Sequence, residues 1–364
     1  MKIVIDGKQI EAKNGATILQ AAAENGISIP TLCYLAEENK ISTCRVCVVS
    51  VKGQPRPVPA CSTAVREGME IVTDSPELRA DRRTALELIC SNHNMDCTYC
   101  PRGHDCRLRE LCRDYGADDH AFGAGRRDAK RDASTPWLVR DNSRCILCRR
   151  CEAVCRGVIG ISAISAGHRA GRTEIGFTLP LNETECVGCG ACAAVCPTGA
   201  LTEQNNEKKA WKAIYDKTKF TAAIVSPNTY MSIGRMFGDA PDTPCGGKIA
   251  ALLRKIGFDA VYDGGSFDPE IPENIFDEAA ERPILIGECP AWKRYAERNF
   301  PEYEFISYAG GAECLARRLK CEKSDKHIFA VSFDNCIAKK DVESEDGVDL
   351  NLTTRELFWM LRRA

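Results

Sequence analysis

Between residues 145 and 196 the chain writes one cysteine spacing twice: CILCRRCEAVC, with Cys145, Cys148, Cys151 and Cys155, then CVGCGACAAVCP, with Cys186, Cys189, Cys192 and Cys196. No other feature restricts the fold so tightly. Two CxxCxxCxxxC runs hold two [4Fe–4S] cubes, and the fourth cysteine of each run ligates the other cube. Cys196 is therefore expected to complete the site of Cys145, Cys148 and Cys151, and Cys155 that of Cys186, Cys189 and Cys192. Pro197 follows the second run and Arg156 the first. Only the turn prefers proline there, so ligation is unaffected.

The remaining cysteines extend the theme. There are 22 in 364 residues, clustered rather than scattered, and either disulfides or metals could staple the small domains that such spacing implies. The opening Met1-Lys2-Ile3-Val4-Ile5-Asp6 has no basic region leading into an apolar run, and nothing approaches 18 consecutive apolar residues. Neither export nor membrane spanning is expected. In a reducing cytoplasm, dense CxxC spacing favours metal or redox sites over disulfides. A net charge of −2 offers nucleic acid or anionic lipid no general attraction, so neither is expected as a partner.

Upstream, residues 2–5 and 9–12 alternate about Asp6-Gly7, and Thr17 to Asn25 reads as an Ala-rich helix ended by Gly26, a small β-grasp pattern. Short strands and loops follow, carrying Cys33 (TLCYL), Cys44 and Cys47 (STCRVC) and Cys61 (PACST). Four thiolates suit a [2Fe–2S] cluster, with zinc as the alternative. Pro76 to Asn92 reads as a helix with Leu78, Ala85, Leu86, Leu88 and Ile89 on its buried stripe. At its end HNMDCTYCPRGHDC offers His93, Cys97, Cys100 and Cys106, with His104 competing for the nitrogen position. By ligand chemistry alone these hold zinc as readily as a cluster. Cys90 and Cys112 fall outside the pattern and read as core or surface thiols. Residues 118–137 are polar, charged and Gly-containing, a connector.

Beyond about Trp211 cysteines thin out and apolar strands, Thr221–Val225, Ala260–Tyr262, Ile284–Gly287 and Ile328–Phe333, alternate with helices, which reads as an α/β layer with a parallel sheet. Over about 150 residues the strings TAAIVSP, GKIAALLRKIGFDAVYD, PILIGECPAW, VSFDNCIAKK and LTTRELFWMLRR resemble the start of the catalytic domain of [FeFe] hydrogenases. That family's first two motifs, TSCCP and MPCxxK, read IGECP and FDNCIAK here. The resemblance places Cys289 and Cys336 where two of the four cubane ligands of an H-cluster would stand, after strands. Glu288 takes the place of a proton-relay cysteine. The chain ends at Ala364 before a third motif, so no complete H-cluster is expected. One reading has Cys289 and Cys336 recruit Cys245 and Cys314, with Cys321 also near in sequence, for an additional ordinary cluster. The other leaves inert thiols on a docking scaffold.

The N-terminal modules are similar to those of [FeFe] hydrogenases and of the large iron–sulfur subunit of complex I. There a His/Cys₃-ligated [4Fe–4S] cluster follows the [2Fe–2S] domain, which implies that role for His93, Cys97, Cys100 and Cys106. The expected fold is a multidomain α+β chain: a [2Fe–2S] ferredoxin domain of β-grasp type (1–77), a small helical His/Cys₃ domain (78–117), the connector (118–137), a bacterial two-[4Fe–4S] ferredoxin domain (138–209) and a truncated α/β hydrogenase-like domain (210–364). No GxGxxG or Walker loop and no Ser/His/Asp grouping suggests nucleotide binding or independent catalysis. The implied function is an iron–sulfur electron-transfer subunit of a cytoplasmic flavin-based NAD(P)H and ferredoxin oxidoreductase or transhydrogenase, including an electron-bifurcating one. Clusters move single electrons whereas nicotinamide moves hydride, so flavin and NAD(P) are expected on partner subunits. The resemblance implies a flavin-bearing NAD(P)H-oxidising subunit, a small thioredoxin-like [2Fe–2S] subunit, ferredoxin and a second flavoprotein. The alternatives are a hydrogenase completed by another chain and a non-catalytic redox sensor or scaffold.

Overall fold

The computed structural model describes all residues except 104, 123–130, 170–171, 177–178, 241–242, 274, 276–282, 324–326, 342–346 and 364. His104 thus lies outside the described residues, as does the GAGRR string of the connector. Two compact units emerge. The first comprises Met1–Ser134, Val139–Cys186 and Ala191–Thr202; the second comprises Thr135–Leu138, Val187–Gly190 and Glu203–Ala364.

In the first unit Lys2–Ile5 and Lys8–Glu11 form an antiparallel hairpin with Ile5 opposite Lys8. Its two-residue turn needs positive φ at both positions, met by Asp6 at 50° and Gly7 at 77°. The hairpin opens a five-stranded sheet that continues through Glu70–Val72, Val48–Val51 and Val58–Pro59. Lys2–Ile5 runs parallel to Glu70–Val72; the pairs further along are antiparallel. Helix Ile18–Glu24 starts at Thr17, whose side chain and that of Gln20 form a reciprocal capping box. Its Ile18, Leu19, Ala21 and Ala22 pack with Ile3, Ile5, Val49 and Ile71. Burying each large aliphatic stabilises the unit by roughly 1.5–3 kcal/mol.

Helix Pro76–Cys90 is capped by Ser75 and has proline in its first turn. Leu78 and Leu86 are fully buried, but Leu88 on the expected stripe is 51% exposed. The inward position goes instead to Arg82, which is 1% exposed. Its guanidinium donates to the carbonyls of Val48 (2.8 Å) and Thr73 (2.6 Å) and to the Tyr115 hydroxyl (3.2 Å). Helix periodicity counts apolar residues and so misses a cation held inward by two backbone carbonyls and a tyrosine hydroxyl. Helix Arg107–Tyr115 ends at Gly116 in the left-handed conformation. Its Leu108 and Leu111 share a core with Leu86 and Val46.

The second unit is built on a parallel sheet in the order Ala260–Asp263, Phe220–Val225, Ile328–Asp334, Leu350–Thr353. The strand expected over Ile284–Gly287 spans Leu285–Gly287 and stands outside this sheet. It pairs instead with Phe305–Ser307 in a separate two-stranded parallel sheet. Three residues long and with Ile286 40% exposed, it lacks the two apolar faces that a central parallel strand must bury. Helices Pro227–Met236, Gly246–Ile256 and Thr354–Arg362 supply one core with Val225, Val331, Phe333 and Leu352, while Gly311–Glu322 packs Leu315 and Leu319 against Ala222, Ile224 and Ala330. Sequence-distant residues join this unit because Arg294 lies 4.4 Å over the Trp137 ring, donates to the Val187 carbonyl at 2.9 Å and pairs with Asp341 at 2.8 Å. Lys340 and Glu356 form a fully buried ion pair at 2.6 Å. Glu356 also accepts from the peptides of Asn206 and Thr353.

Candidate metal centres

Cys33, Cys44, Cys47 and Cys61 are all buried, brought together where the sheet strand Val48–Val51 and its flanking loops meet. The four thiols form two hydrogen-bonded pairs, Cys33 with Cys44 and Cys47 with Cys61. Accepting that bond pulls Cys44 and Cys61 down to about 6, while donating it, and then burial, pushes Cys33 and Cys47 well up. The peptide N–H of Val46 also points at Cys44, and the Ser42 hydroxyl lies 3.4 Å from the Cys61 sulfur. Two close pairs are what two irons, each taking two thiolates, require.

At the second group His93 is 7% exposed and its Nδ1 is buried with no hydrogen-bond partner. Burial and then the Arg144 guanidinium hold the imidazole neutral, down to about 4, against its hydrogen bond with the Arg144 backbone. A neutral ring anchored to a carbonyl, with a lone pair directed nowhere else, is the form in which histidine binds metal. Cys97, Cys100 and Cys106 stand within electrostatic reach of one another, and burial raises Cys97 and Cys106. Two glycines permit the close approach. A Cβ on Gly199 would sit 2.6 Å from the Cys100 sulfur, and one on Gly103 would sit 2.4 Å from the Cys97 carbonyl oxygen.

The third group lines one cavity: Cys145, Cys148, Cys151 and Cys196 surround it with Ile146, Ile175 and Thr198. That is the crossed set expected from the repeat. Burial, then the neighbouring thiols, pushes Cys148 up to about 12 and Cys151 well above its ordinary value. Cys148 and Cys151 are raised by the charge of their neighbours rather than by a thiol–thiol hydrogen bond of the kind in the first group. That difference is chemical: in a cube each thiolate caps a separate iron, so the sulfurs stand apart. In the fourth set Cys155 and Cys192 are buried, Cys186 half-buried and Cys189 exposed. Cys192 also lies within electrostatic reach of Cys151.

The loops share a backbone device. Leu147 and Arg149 have φ of 56° and 58°, and their repeat counterparts Gly188 and Gly190 have 73° and 80°. Arg45, between Cys44 and Cys47, has 56°. Left-handed residues curl successive peptide N–H groups inward, and the Leu147 N–H donates to the Cys145 sulfur at 3.4 Å. Asn39, which sequence reasoning missed, is 3% exposed and donates to the carbonyls of Cys33 (2.7 Å) and Cys148 (2.9 Å). A lone asparagine 109 residues from Cys148 carries no local signal. Among the described residues no three His, Cys, Asp or Glu side chains converge as they would on a single metal ion.

In the second unit Cys289 precedes helix Pro290–Asn299, and Cys336 follows the strand Ile328–Asp334. These two thiols act on each other, Cys336 as the proton-bearing partner of Cys289. The other two residues of the expected extra cluster do not join them. Cys245 donates to the Tyr230 carbonyl at 2.7 Å and lies in the apolar core; Cys314 donates to the Ala309 carbonyl at 3.4 Å. Each sits at the start of a helix, where a backbone carbonyl is nearer than a distant thiol. Cys321 is exposed. Cys289 is pulled down to about 5, first by the Cys336 thiol, then by the peptides of Trp292 and Ala291 and by Lys339. Cys336, the donor, is pushed up. Glu288 lines a neighbouring cavity with Lys339, Ser307, Gly310 and Arg317 and pairs with Lys339 at 3.6 Å.

Buried thiol groups of this kind, in a first unit joined by an α/β second one, define a multi-cluster iron–sulfur protein. Residues 1–76 match the 2Fe-2S iron-sulfur cluster binding domain, 82–121 the NADH-ubiquinone oxidoreductase-G iron-sulfur binding region, 138–200 the 4Fe-4S dicluster domain and 219–364 the C-terminal domain of the iron-only hydrogenase large subunit. NADP-reducing hydrogenase subunit HndD of Solidesulfovibrio fructosivorans is 33% identical over 399 aligned residues, which cover the whole chain and 68% of that protein. The chain belongs to the iron–sulfur hydrogenase-subunit family that HndD represents. NADPH-Fe(3+) oxidoreductase subunit alpha of Geobacter sulfurreducens is 39% identical over 201 residues, 55% of this chain and 24% of that one. A solved NAD+-reducing [NiFe]-hydrogenase in its H2-reduced state is 30% identical, with a TM-score of 0.52, over 56% of this chain and 88% of that one. No described helix is long and apolar enough to cross a membrane.

Proposed function

We propose that this chain is the iron–sulfur electron-transfer subunit of a flavin-based NAD(P)H oxidoreductase complex, with ferredoxin as a one-electron partner. The observation that carries the reading is the cavity ringed by Cys145, Cys148, Cys151 and Cys196, in a chain similar along its whole length to a subunit of an NADP-reducing hydrogenase. Cys33, Cys44, Cys47 and Cys61 would hold one [2Fe–2S] cluster. His93, Cys97, Cys100 and Cys106 would hold a [4Fe–4S] cluster, and the crossed sets Cys145/Cys148/Cys151/Cys196 and Cys186/Cys189/Cys192/Cys155 two more. Domain limits at 77, 117, 137 and 209 follow these groups. When bound, the clusters supply one-electron redox chemistry. The chain's own residues bury most of the sulfurs, direct peptide N–H groups at them and hold His93 neutral.

The relatives are named as subunits, and the partners proposed for this chain are a flavoprotein that oxidises NAD(P)H, a thioredoxin-like [2Fe–2S] subunit and a second flavoprotein docked on the hydrogenase-like domain. Co-expression with the neighbouring genes tests this. A co-purifying flavoprotein, NAD(P)H-dependent reduction of ferredoxin or viologen, and about 14 iron atoms on this chain are expected. Purification without any flavoprotein would sink the reading.

A further inference from the structure

The two CxxCxxCxxxC runs repeat, but the charges around them do not. Arg140, Arg144, Arg149 and Arg150 accompany the first run, and the second carries Leu181, Glu185, Gly190 and Ala191 at the same spacings from its cysteines. Resting on the reading of the Cys145/Cys148/Cys151/Cys196 cavity as the site of a first cube, we infer that Arg140 sets that cube's potential. Its guanidinium donates to the sulfurs there and holds the first cube at a higher reduction potential than the second, held by Cys186, Cys189, Cys192 and Cys155.

Arg140 lines the cavity with the four cysteines and is 6% exposed, so a full positive charge stands there in poorly screening surroundings. One of its nitrogens is engaged: Nη2 donates to the Leu179 carbonyl at 3.1 Å and pairs with Asp132 at 3.1 Å. Nε and Nη1 are buried without a hydrogen-bond partner among the described residues. Buried donors are rarely left open, and cluster sulfurs are the acceptors that this cavity would bring to them. Other polar side chains of the lining are already committed. Asn142 donates to the Ile175 carbonyl at 3.2 Å, Thr198 to the Arg144 carbonyl at 2.9 Å and Arg149 to Glu152 at 2.6 Å. Gly176 makes room for the guanidinium, since a Cβ there would overlap Nη1. Asp132 holds the arginine without cancelling it, because it also accepts from the peptides of Leu181 at 2.8 Å and Ser134 at 3.0 Å.

In the second half of the repeat the place of Arg140 belongs to Leu181, which is fully buried and offers no side-chain donor. Reduction adds one negative charge to a cube, and a cation with N–H groups directed at the sulfurs favours that state. Solvent beside the exposed Cys189 favours reduction of the second cube, and Arg140 outweighs it because its charge is buried. When one electron passes from the second cube to the first, the second is oxidised as the first is reduced, and Arg140 makes that passage downhill.

The test uses the full chain with its clusters assembled, purified without oxygen and titrated potentiometrically with electron paramagnetic resonance as the readout. The signal that disappears in Cys148→Ser belongs to the first cube. In the unaltered chain that signal should titrate at the higher potential of the two, and the reverse order overturns the proposal. Arg140→Leu, which copies Leu181, should lower the first cube's reduction equilibrium constant about tenfold or more, a fall of about 59 mV for each factor of ten. Iron content and the second cube's potential should stay as they were. Arg140→Lys keeps the charge and should recover part of the fall. An unmoved first-cube potential in Arg140→Leu overturns the arginine's role, and so does an equal fall in both cubes. A readout that needs no substitution guards against a variant that fails to fold. With arginine labelled by the heavy nitrogen isotope, pulsed spectra of the reduced first cube in the unaltered chain should show coupling to a guanidinium nitrogen, and its absence overturns the proposal. If Cys148→Ser loses no cubane signal, the cluster reading of the cavity falls, and the proposal with it.

Discussion

The thiols of the two units obey different rules. In the first unit one set of four rings a cavity and another falls into two close pairs, most of them buried, on loops bent by left-handed residues. In the second, Cys289 and Cys336 stand half-buried beside Lys339, Cys289 at a helix N-terminus, while Cys245 and Cys314 bond to backbone. The difference teaches that the number of cysteines says less than the distance between them. Sulfurs held apart around a void suit an iron cage, and sulfurs in contact suit either an iron shared two by two or a covalent bond between them.

The sharpest way to break this comparison is to remove one thiol from each unit and count iron. Cys148→Ser should lower iron by about four atoms per chain and erase one cubane signal in electron paramagnetic resonance. Cys289→Ser should leave both unchanged, and equal losses would erase the distinction. Next in size is the buried pair of the second unit. Lys340→Met strands Glu356, which burial already pushes up, and should cost about 3–5 kcal/mol in urea unfolding. A loss under about 1 kcal/mol would mean that water reaches the pair. In the first unit, Asn39→Leu leaves the Cys33 and Cys148 carbonyls without their shared donor. About 2 kcal/mol should be lost, and the [2Fe–2S] and cubane reduction potentials should both move. A shift in only one would show that the amide serves a single loop.

The smallest expected effect concerns charge. The Cys289 thiolate prevails above about pH 5, so its alkylation should hold a plateau at neutral pH and decline only below that value. Lys339→Gln removes a cation that favours the thiolate, and the midpoint should rise by less than about one unit. The Cys336 hydrogen bond and the helix peptides, which rank ahead of Lys339, remain. A larger rise would make the lysine, rather than the neighbouring thiol, the dominant influence.

The sequence by itself determined which residues could serve as ligands, because cysteine spacing is a local property: a CxxC loop is tight enough that its pattern survives in the letters. The Asp6-Gly7 hairpin, the Ala-rich helix ended by Gly26 and the helix from Pro76 were legible for the same reason, each being settled within a few residues. The tertiary structure alone decided which distant groups meet. It set Asn39 against Cys148, turned Arg82 inward to backbone carbonyls, left Leu88 outside and moved Leu285–Gly287 out of the main sheet. It also parted Cys245 and Cys314 from the Cys289 pair. Such contacts depend on which buried polar group finds a partner when strands and helices close together, and that competition is resolved only in three dimensions.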